Sequence, residues 1–316
     1  MFKIVTFTDV HLADKGPSSR IDDYREAILD KLSQISKICE DNKADIAVCA
    51  GDLFHYKAPT KNSHYLVSRT MEIFKNFPCP VYSIYGNHDI SQDNISTLPK
   101  QPFYVLLKSG CLHYLEDEFF DNGKIRLFGM DYLKDPDYVD FNKKRLTEEV
   151  QMCVAHVNAS SKFDDLFGER VYKYQDLSKC SPDIFLFGHY HPDQGIEKHN
   201  SKYFINVGSL SRGSLKKDEL ERTPNCSLIT IDDSYNITCE KIPLKVEPSD
   251  KIFDLEKKNK EEVEQKEIEN FINEMKSKIV SDSDTDVWQE VMSKLNFEKT
   301  IQDKAKDYLE KASSNG

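Results

Sequence analysis

The chain has 316 residues, enough for one large domain or two ordinary ones, each able to bury a sizeable core. Its 39% hydrophobic and 31% charged content is that of a soluble globular protein, and no run of about 18 apolar residues exists to cross a membrane. The net charge of −11 is spread along the chain and argues against nucleic-acid binding by simple electrostatics, so any polyanionic substrate would need bound cations, a local basic patch or a partner. The start, MFKIVTFTDVHL, is too short and too polar for a signal peptide. The eight cysteines form no CxxC pair, and Cys49 and Cys153 lie in apolar runs as small buried hydrophobes. A reduced, cytoplasmic setting follows, without a disulfide framework or a zinc cluster.

In chain order, Ile4–Thr8 reads as a strand, and residues 22–42 carry Ile28, Leu32, Ile35 and Ile38 at helical spacing. Ile46–Ala50 is a second apolar run, residues 62–76 a second helix, and Val81–Tyr85 a third strand. This βαβαβ order predicts an α/β sheet, at least partly parallel, with its functional loops at the carboxyl ends of the strands. Strands then crowd together at 125–130, 151–155, 184–187, 203–207, 226–231 and 237–242, as a second sheet or a mixed extension of the first. After Pro243 the composition turns Lys- and Glu-rich, with an apolar stripe of Val263, Ile268, Phe271, Ile272, Met275 and Ile279. A polar break at 281–286 precedes Trp288, Val291, Met292 and Leu295 on one helical face. The expected organisation is a domain over 1–244, a capping or linker region over 245–280 and a C-terminal helical segment over 281–316.

Four short segments sit at or just after strand ends: Asp9-Val10-His11, Gly51-Asp52, Gly86-Asn87-His88-Asp89 and Gly188-His189-Tyr190-His191. His156 follows a fifth strand. Each alone has a bland reading: an Asp-x-His is usually a turn with a surface histidine, and Gly-Asp means little. Together, in this order, they bring carboxylates, an amide oxygen and imidazoles to one end of a sheet. Such mixed N/O donors suit Mn²⁺, Fe²⁺ or Zn²⁺ better than all-oxygen Mg²⁺ or Ca²⁺. The i, i+2 pairs Asp9/His11 and His189/His191 would share a face in a strand, and a turn leaving the strand can aim both members at one point.

The pattern D-x-H…GD…GNHD…H…GHxH resembles the signature of the calcineurin-like metallophosphoesterase superfamily. The resemblance covers roughly residues 1–210, and no member of the pattern is missing. It implies a four-layer α/β sandwich of two mixed β-sheets flanked by helices, with a small helical C-terminal region. One divalent ion would take Asp9, His11 and His191, the other Asn87, His156 and His189, and Asp52 would bridge them. Two such ions, most naturally Mn²⁺, would generate a hydroxide nucleophile from bound water and neutralise the phosphate oxygens. His88 would protonate the leaving group. Asp89 would orient a neighbour or cap the following turn.

Gly51-Asp52-Leu53-Phe54-His55 with Pro59, and the opening TDVHL with Arg20, are similar to SbcD-type DNA-repair nuclease subunits. That likeness implies DNA exonuclease and endonuclease activity, a place for His55 beside the phosphate, and an SbcC-like coiled-coil ATPase partner, with a homodimer as a further expectation. His55 as an exposed loop histidine is the plain alternative. NVGSLSRGSLKKDELERTP at 206–224 is similar to the corresponding loop of bacterial and phage relatives. There Ser209 and Arg212 would contact phosphate or DNA backbone, or close the loop by hydrogen bonds. The tail helices would bind the ATPase, or else pack on the chain's own core. The alternative function is a stand-alone phosphatase or cyclic-nucleotide diesterase, for which the −11 charge is no obstacle.

Overall fold

Strand β1 (Phe2–Phe7) is buried almost throughout, and its period of two sends Phe2 and Ile4 into one core and Val5 and Phe7 into another. The same division runs through β2 (Ile46–Cys49), where Ile46 and Val48 face one way and Ala47 and Cys49 the other. A strand with two apolar faces must be covered on both sides, and that requirement generates a layered fold. The structure, a computed structural model, describes residues 1–132, 140–146, 149–163, 165–166, 169–256 and 266.

Helix α1 (Tyr24–Asn42) starts where the Asp23 carboxylate accepts the Glu26 amide, and it ends at Lys43 in the left-handed region (φ 52°). Its buried stripe of Ile28, Leu32, Ile35 and Cys39 packs on the outer face of the first sheet. Helix α2 (His64–Lys75), capped by Ser63, and α3 (Pro102–Lys108), with proline in its first turn, complete that layer through Leu66, Phe74, Phe103 and Leu106.

The remaining elements are β3 (Val81–Ser83), β4 (His113–Tyr114), β5 (Asp117–Phe120), β6 (Ile125–Met130) and β7 (Val150–His156). After them, β8 (Ala159–Ser160) pairs with β11 (Tyr172–Lys173), and β9 (Asp165–Leu166) with β10 (Glu169–Arg170). Then follow α4 (Tyr174–Leu177), β12 (Ile184–Gly188), β13 (Gly195–His199), β14 (Lys202–Asn206), α5 (Lys217–Glu221), β15 (Asn225–Ile231), β16 (Ile237–Pro243) and α6 (Ser249–Ile252).

Two mixed six-stranded sheets result, in the orders β16-β15-β1-β2-β3-β4 and β13-β14-β12-β7-β6-β5. In the first sheet β1 to β4 run parallel and β15 and β16 add antiparallel pairs at one side; in the second the inner strands are parallel and both edge pairs antiparallel. The sheets meet face to face over Ile4, Val48, Leu127, Met152, Val154, Leu186 and Ile205. Each such residue, fully buried, stabilises the fold by roughly 1.5–3 kcal/mol. The far side of the second sheet is aromatic, with Tyr174, Phe185, Phe187 and Phe204 packed together. Among the described residues its cover is the short α4 and irregular chain rather than long helices. The late strands β15 and β16 return to the first sheet beside β1, so the expected second sheet and the expected extension of the first both exist.

The chain divides into two compact units, Met1–Phe253 and Asp254–Gly316. The first runs past the expected boundary at 244, because Leu244, Ile252 and Phe253 are buried and Ile21 donates its amide to the Ile252 carbonyl (3.1 Å). Most of the expected 245–280 region beyond Phe253, and all of 281–316 with Trp288, Val291, Met292 and Leu295, lie outside the described residues. No helix among the described residues is long and apolar enough to cross a membrane. All eight cysteines are free.

Candidate metal centre

Every loop singled out in the sequence leaves the carboxyl end of a parallel strand, and the two sheets bring these ends together. β1 delivers Asp9 and His11, β2 delivers Asp52, and β3 delivers Asn87 and His88. From the second sheet, β7 ends on His156, and β12 delivers His189 and His191. Asp9 and His11 lie beyond the end of β1, in the turn that leaves the strand, and the turn aims both at one point. Asp9 (φ 49°), His11 (φ 53°), Asp52 (φ 52°) and His189 (φ 85°) all have left-handed backbone. Four non-glycine residues in that region at one site mark stored local strain, the usual company of function.

Glycine is required at two points. A Cβ on Gly86 would lie 2.1 Å from Asp52 Oδ1 and 2.6 Å from His156 Cε1. Gly51 (φ +92°) would put one 2.6 Å from His156 Nδ1. Close approach of backbone to donor atoms therefore accounts for the glycines of Gly-Asp and Gly-Asn-His-Asp.

The donors fall into two groups. Ligand atoms of Asp9, His11, Asp52 and His191 all lie within 4.8 Å of one another, with His11 Nε2 and His191 Nε2 2.9 Å apart. In the second group, Asn87 Oδ1 stands 3.2 Å from both His156 Nε2 and His189 Nδ1. Asp52 belongs to both, since its Oδ2 lies 3.8 Å from His11 Nε2 and 3.4 Å from His156 Nε2. Its Oδ1 is occupied by the His88 amide at 2.8 Å, which leaves Oδ2 as the shared atom. Two ligand atoms each about 2.1 Å from one ion stand about 3.0 Å apart at a right angle and about 3.4 Å apart at the tetrahedral angle. The spacings of 2.9, 3.2 and 3.4 Å match, and the 3.8 Å from Asp52 Oδ2 to His11 Nε2 needs only a wider angle at the ion, so the residues fit a pair of divalent ions.

Hydrogen bonds set which ring nitrogen is free. His156 Nδ1 donates to the Ala50 carbonyl (2.8 Å), which makes Nε2 the nitrogen turned toward Asn87 and Asp52, the one that would give up its proton to a cation. His189 Nε2 donates to Glu169 Oε2 (2.8 Å), turning a bare Nδ1 toward Asn87. Asn158 Nδ2 donates to that same Glu169 oxygen (2.6 Å) and steadies it. Asp9 is held by the Thr8 hydroxyl (2.7 Å) and by the His189 amide (3.1 Å).

The electrostatics agree with a cation site. Burial alone would raise the Asp52 carboxyl, but the imidazoles of His156, His11 and His88 outweigh it and hold the group well below the ordinary carboxylate range. Burial would lower His156, yet the Asp52 carboxylate raises it to about 9. Burial and the neighbouring His191 push His11 well below its ordinary value. Without ions, Asp52 leans on a protonated neighbour, and divalent ions would take over that role while displacing protons.

His88 and His55 stand beside the first group. His88 Nδ1 donates to the His55 carbonyl, and the two rings stack at 5.4 Å. Their nearest ring nitrogens and one of His11 form a triad within 4.8 Å. Burial and His88 lower His55 to about 4, so it stays neutral at physiological pH. His55 is half-buried in this cluster rather than an exposed loop histidine.

Asp89 is buried and accepts amides from Leu53, Phe54 and Gly86, tying the Asp52 loop to the Asn87 loop. Ser209 Oγ donates to the Asp9 carbonyl (2.7 Å) and so braces the first ligand loop. Arg212 is buried and donates to the Glu247 carbonyl (2.8 Å) and to Ser249 Oγ (3.2 Å). Of the two readings open for Ser209 and Arg212, the structure shows loop closure. Glu169, Asn158 and Thr8 were not singled out from the sequence. Glu169 lies in a two-residue strand without periodicity, where nothing local distinguishes it.

Residues 2–193 match the family described as Calcineurin-like phosphoesterase. The DNA double-strand break repair protein Mre11 of Archaeoglobus fulgidus is 29% identical over 115 residues, or 36% of this chain. The match spans 24% of that protein's own length. Among solved structures, a dimetal phosphatase from Danio rerio aligns at 12% identity with a TM-score of 0.48, covering 77% of this chain and 99% of that one. The protein TT1561 of Thermus thermophilus aligns at 12% identity with a TM-score of 0.45, covering 76% and 98%. Since the family match runs from β1 through the loop after β12, and so takes in every strand end that contributes a donor, the chain belongs to the calcineurin-like phosphoesterase family.

Proposed function

We propose that the chain is a two-metal phosphodiesterase acting on DNA, the nuclease subunit of an SbcCD-like repair or recombination complex. The observation that carries it is the complete donor set in two groups sharing Asp52 Oδ2, with His55 and His88 beside the first. Asp9, His11 and His191 would hold one ion, Asn87, His156 and His189 the other, and Asp52 both. Mixed N/O donors favour Mn²⁺. When bound, the ions lower the pKa of coordinated water and neutralise the non-bridging phosphate oxygens.

The chain supplies the rest. Because His88 Nδ1 is committed to the His55 carbonyl, Nε2 is the atom that can carry a proton to the departing alkoxide. Such transfer is worth about 10²–10⁴ in rate. His55, kept neutral, positions His88 through its carbonyl and ring face and presents its own imidazole to the phosphate. The Mre11 similarity supports DNA as substrate over the matched stretch. Since the chain carries −11, attraction of DNA falls to the bound cations and to partners, the first being a coiled-coil ATPase of SbcC type and the second another copy of this chain. A cytoplasmic location goes with such a complex.

The net charge also favours a second reading, a phosphatase or cyclic-nucleotide diesterase for small substrates. The deciding experiment compares labelled duplex and single-stranded DNA, bis-p-nitrophenyl phosphate, cyclic nucleotides and phosphomonoesters, with Mn²⁺ and Mg²⁺. DNA cleavage in Mn²⁺ that disappears in Asp52→Asn supports the nuclease. Turnover of monoesters or cyclic nucleotides with DNA left intact replaces it by the second reading. Full turnover in Asp52→Asn with two ions retained refutes the shared-carboxylate assignment.

A further inference from the structure

Lys31 is the one buried lysine among the described residues, 3% exposed on the otherwise apolar face of α1. Its Nζ donates to the Leu210 carbonyl (2.8 Å) and makes no ion pair among the described residues. Arg212, also 3% exposed, lies near it, bonded to carbonyls and a hydroxyl, and its buried Nε has no partner. Two further guanidiniums complete the cluster, but each has its carboxylate. Arg20 pairs with Asp22 (2.7 and 2.5 Å) and Arg222 with Glu219 (3.1 Å). The excess positive charge thus rests on Lys31 and Arg212. Uncompensated buried cations cost several kcal/mol each, and a structure that keeps two of them side by side is short of an anion.

Both line one cavity of about 410 Å³, together with Arg20, Gln34 and Lys245. Asp22, already paired, and the exposed Asp30 and Glu247 are its acidic members. Burial first, then the three arginines, lower the Lys31 ammonium to about 7, so a charge is ready to be restored there when an anion arrives. The space exceeds that of a bare phosphate and leaves room for an organic substituent.

We propose that this cavity is a binding site for a phosphomonoester dianion, seated between Lys31 and Arg212 and separate from the metal centre. It backs onto the loop that carries Leu210 and Ser209, and Ser209 holds the Asp9 carbonyl. An occupant would therefore brace the loop that positions Asp9.

Isothermal titration of inorganic phosphate into the full chain, kept in EDTA so that no divalent ion competes for it, provides the test. The expected result is one equivalent bound with a Kd at or below about 1 mM, weakened tenfold or more in Lys31→Met, which removes one full charge contact. Ala27→Phe, which fills the cavity from α1, should cause the same loss if Lys31→Met fails to fold. Parallel titrations with dAMP and with 5′-phosphorylated duplex DNA separate the sources of the phosphate. Binding of dAMP alone marks a small-molecule site, and binding of the duplex marks a DNA-end site. No binding at 10 mM phosphate (about ten times that Kd), or equal binding in wild type and both variants, overturns the proposal.

Discussion

Removing the carboxylate behind His189 should weaken one ion and spare the other. Glu169 Oε2 takes the Nε2 proton of His189 at 2.8 Å and is steadied by Asn158, which leaves Nδ1 bare for a cation beside Asn87. Partners of this kind, one bond removed from the metal, typically account for 10–100-fold in affinity. Glu169→Gln keeps an acceptor but loses its charge. The difference between a charge-assisted and a neutral hydrogen bond is about 1 kcal/mol, or about fivefold. Glu169 is 51% exposed, so water softens both changes. About fivefold is then an upper figure for Glu169→Gln, and Glu169→Ala, with no acceptor, should reach about tenfold. Mn²⁺ titration should show the loss in one of two binding steps, with the melting temperature in EDTA within about 2 °C of wild type. Unchanged affinity in Glu169→Ala, or equal weakening of both steps, would refute the tautomer assignment.

Three other perturbations test separate links. His88→Ala should lose about 10²-fold or more in kcat on DNA while keeping its metals, and less on a p-nitrophenyl ester, whose leaving group needs little protonation; equal losses on both substrates would exclude proton donation. Gly86→Ala should drive the new methyl against Asp52 Oδ1 and cut Mn²⁺ affinity at least about tenfold, measured by the same titration. Lys31 has a folded pKa near 7 against 10.5 when exposed, so the folded state binds its proton less tightly than the unfolded state. Its contribution therefore makes stability rise with pH across the window from 7 to 10.5, by about 2 kcal/mol between pH 7 and 9. Denaturant melts in low-phosphate buffer should show that rise in wild type and a flatter profile in Lys31→Met.

The loops of the candidate metal centre were legible because each follows an apolar strand and carries residues whose chemistry has few other uses in that order. The inner strands were legible for a related reason: Ile4, Val48, Val154 and Leu186 lie in runs too apolar for any surface. Less local features were not. Nothing near Asp9 or His11 announces left-handed backbone, which arises because the Asp9 amide bonds the Gly51 carbonyl and the His11 amide the Asp52 carbonyl, partners far along the chain. β15 and β16 read correctly as strands, but their return to β1 depends on long-range pairing such as Val5 with Leu228. The strand β13 escaped notice because Gly195–His199 is a half-exposed edge with little apolar content. The choice between phosphate contact and loop closure for Arg212 stayed open in the sequence, since a motif reveals residue type and position but not burial.

Each donor group of the metal centre draws on both sheets. Asp9 and His11 come from the first sheet and His191 from the second; Asn87 comes from the first, His156 and His189 from the second. No segment of the chain from a single sheet can assemble either group. An ion seated in this seam would act as a rivet between two layers otherwise joined there by side-chain packing and a few hydrogen bonds, such as His156 Nδ1 to the Ala50 carbonyl and the His189 amide to Asp9. Loading of metals there would thus be coupled to closure of the sandwich at that end, and chelation should first loosen it, with amide exchange accelerating in the loops after β1, β3 and β12 before the layers part elsewhere.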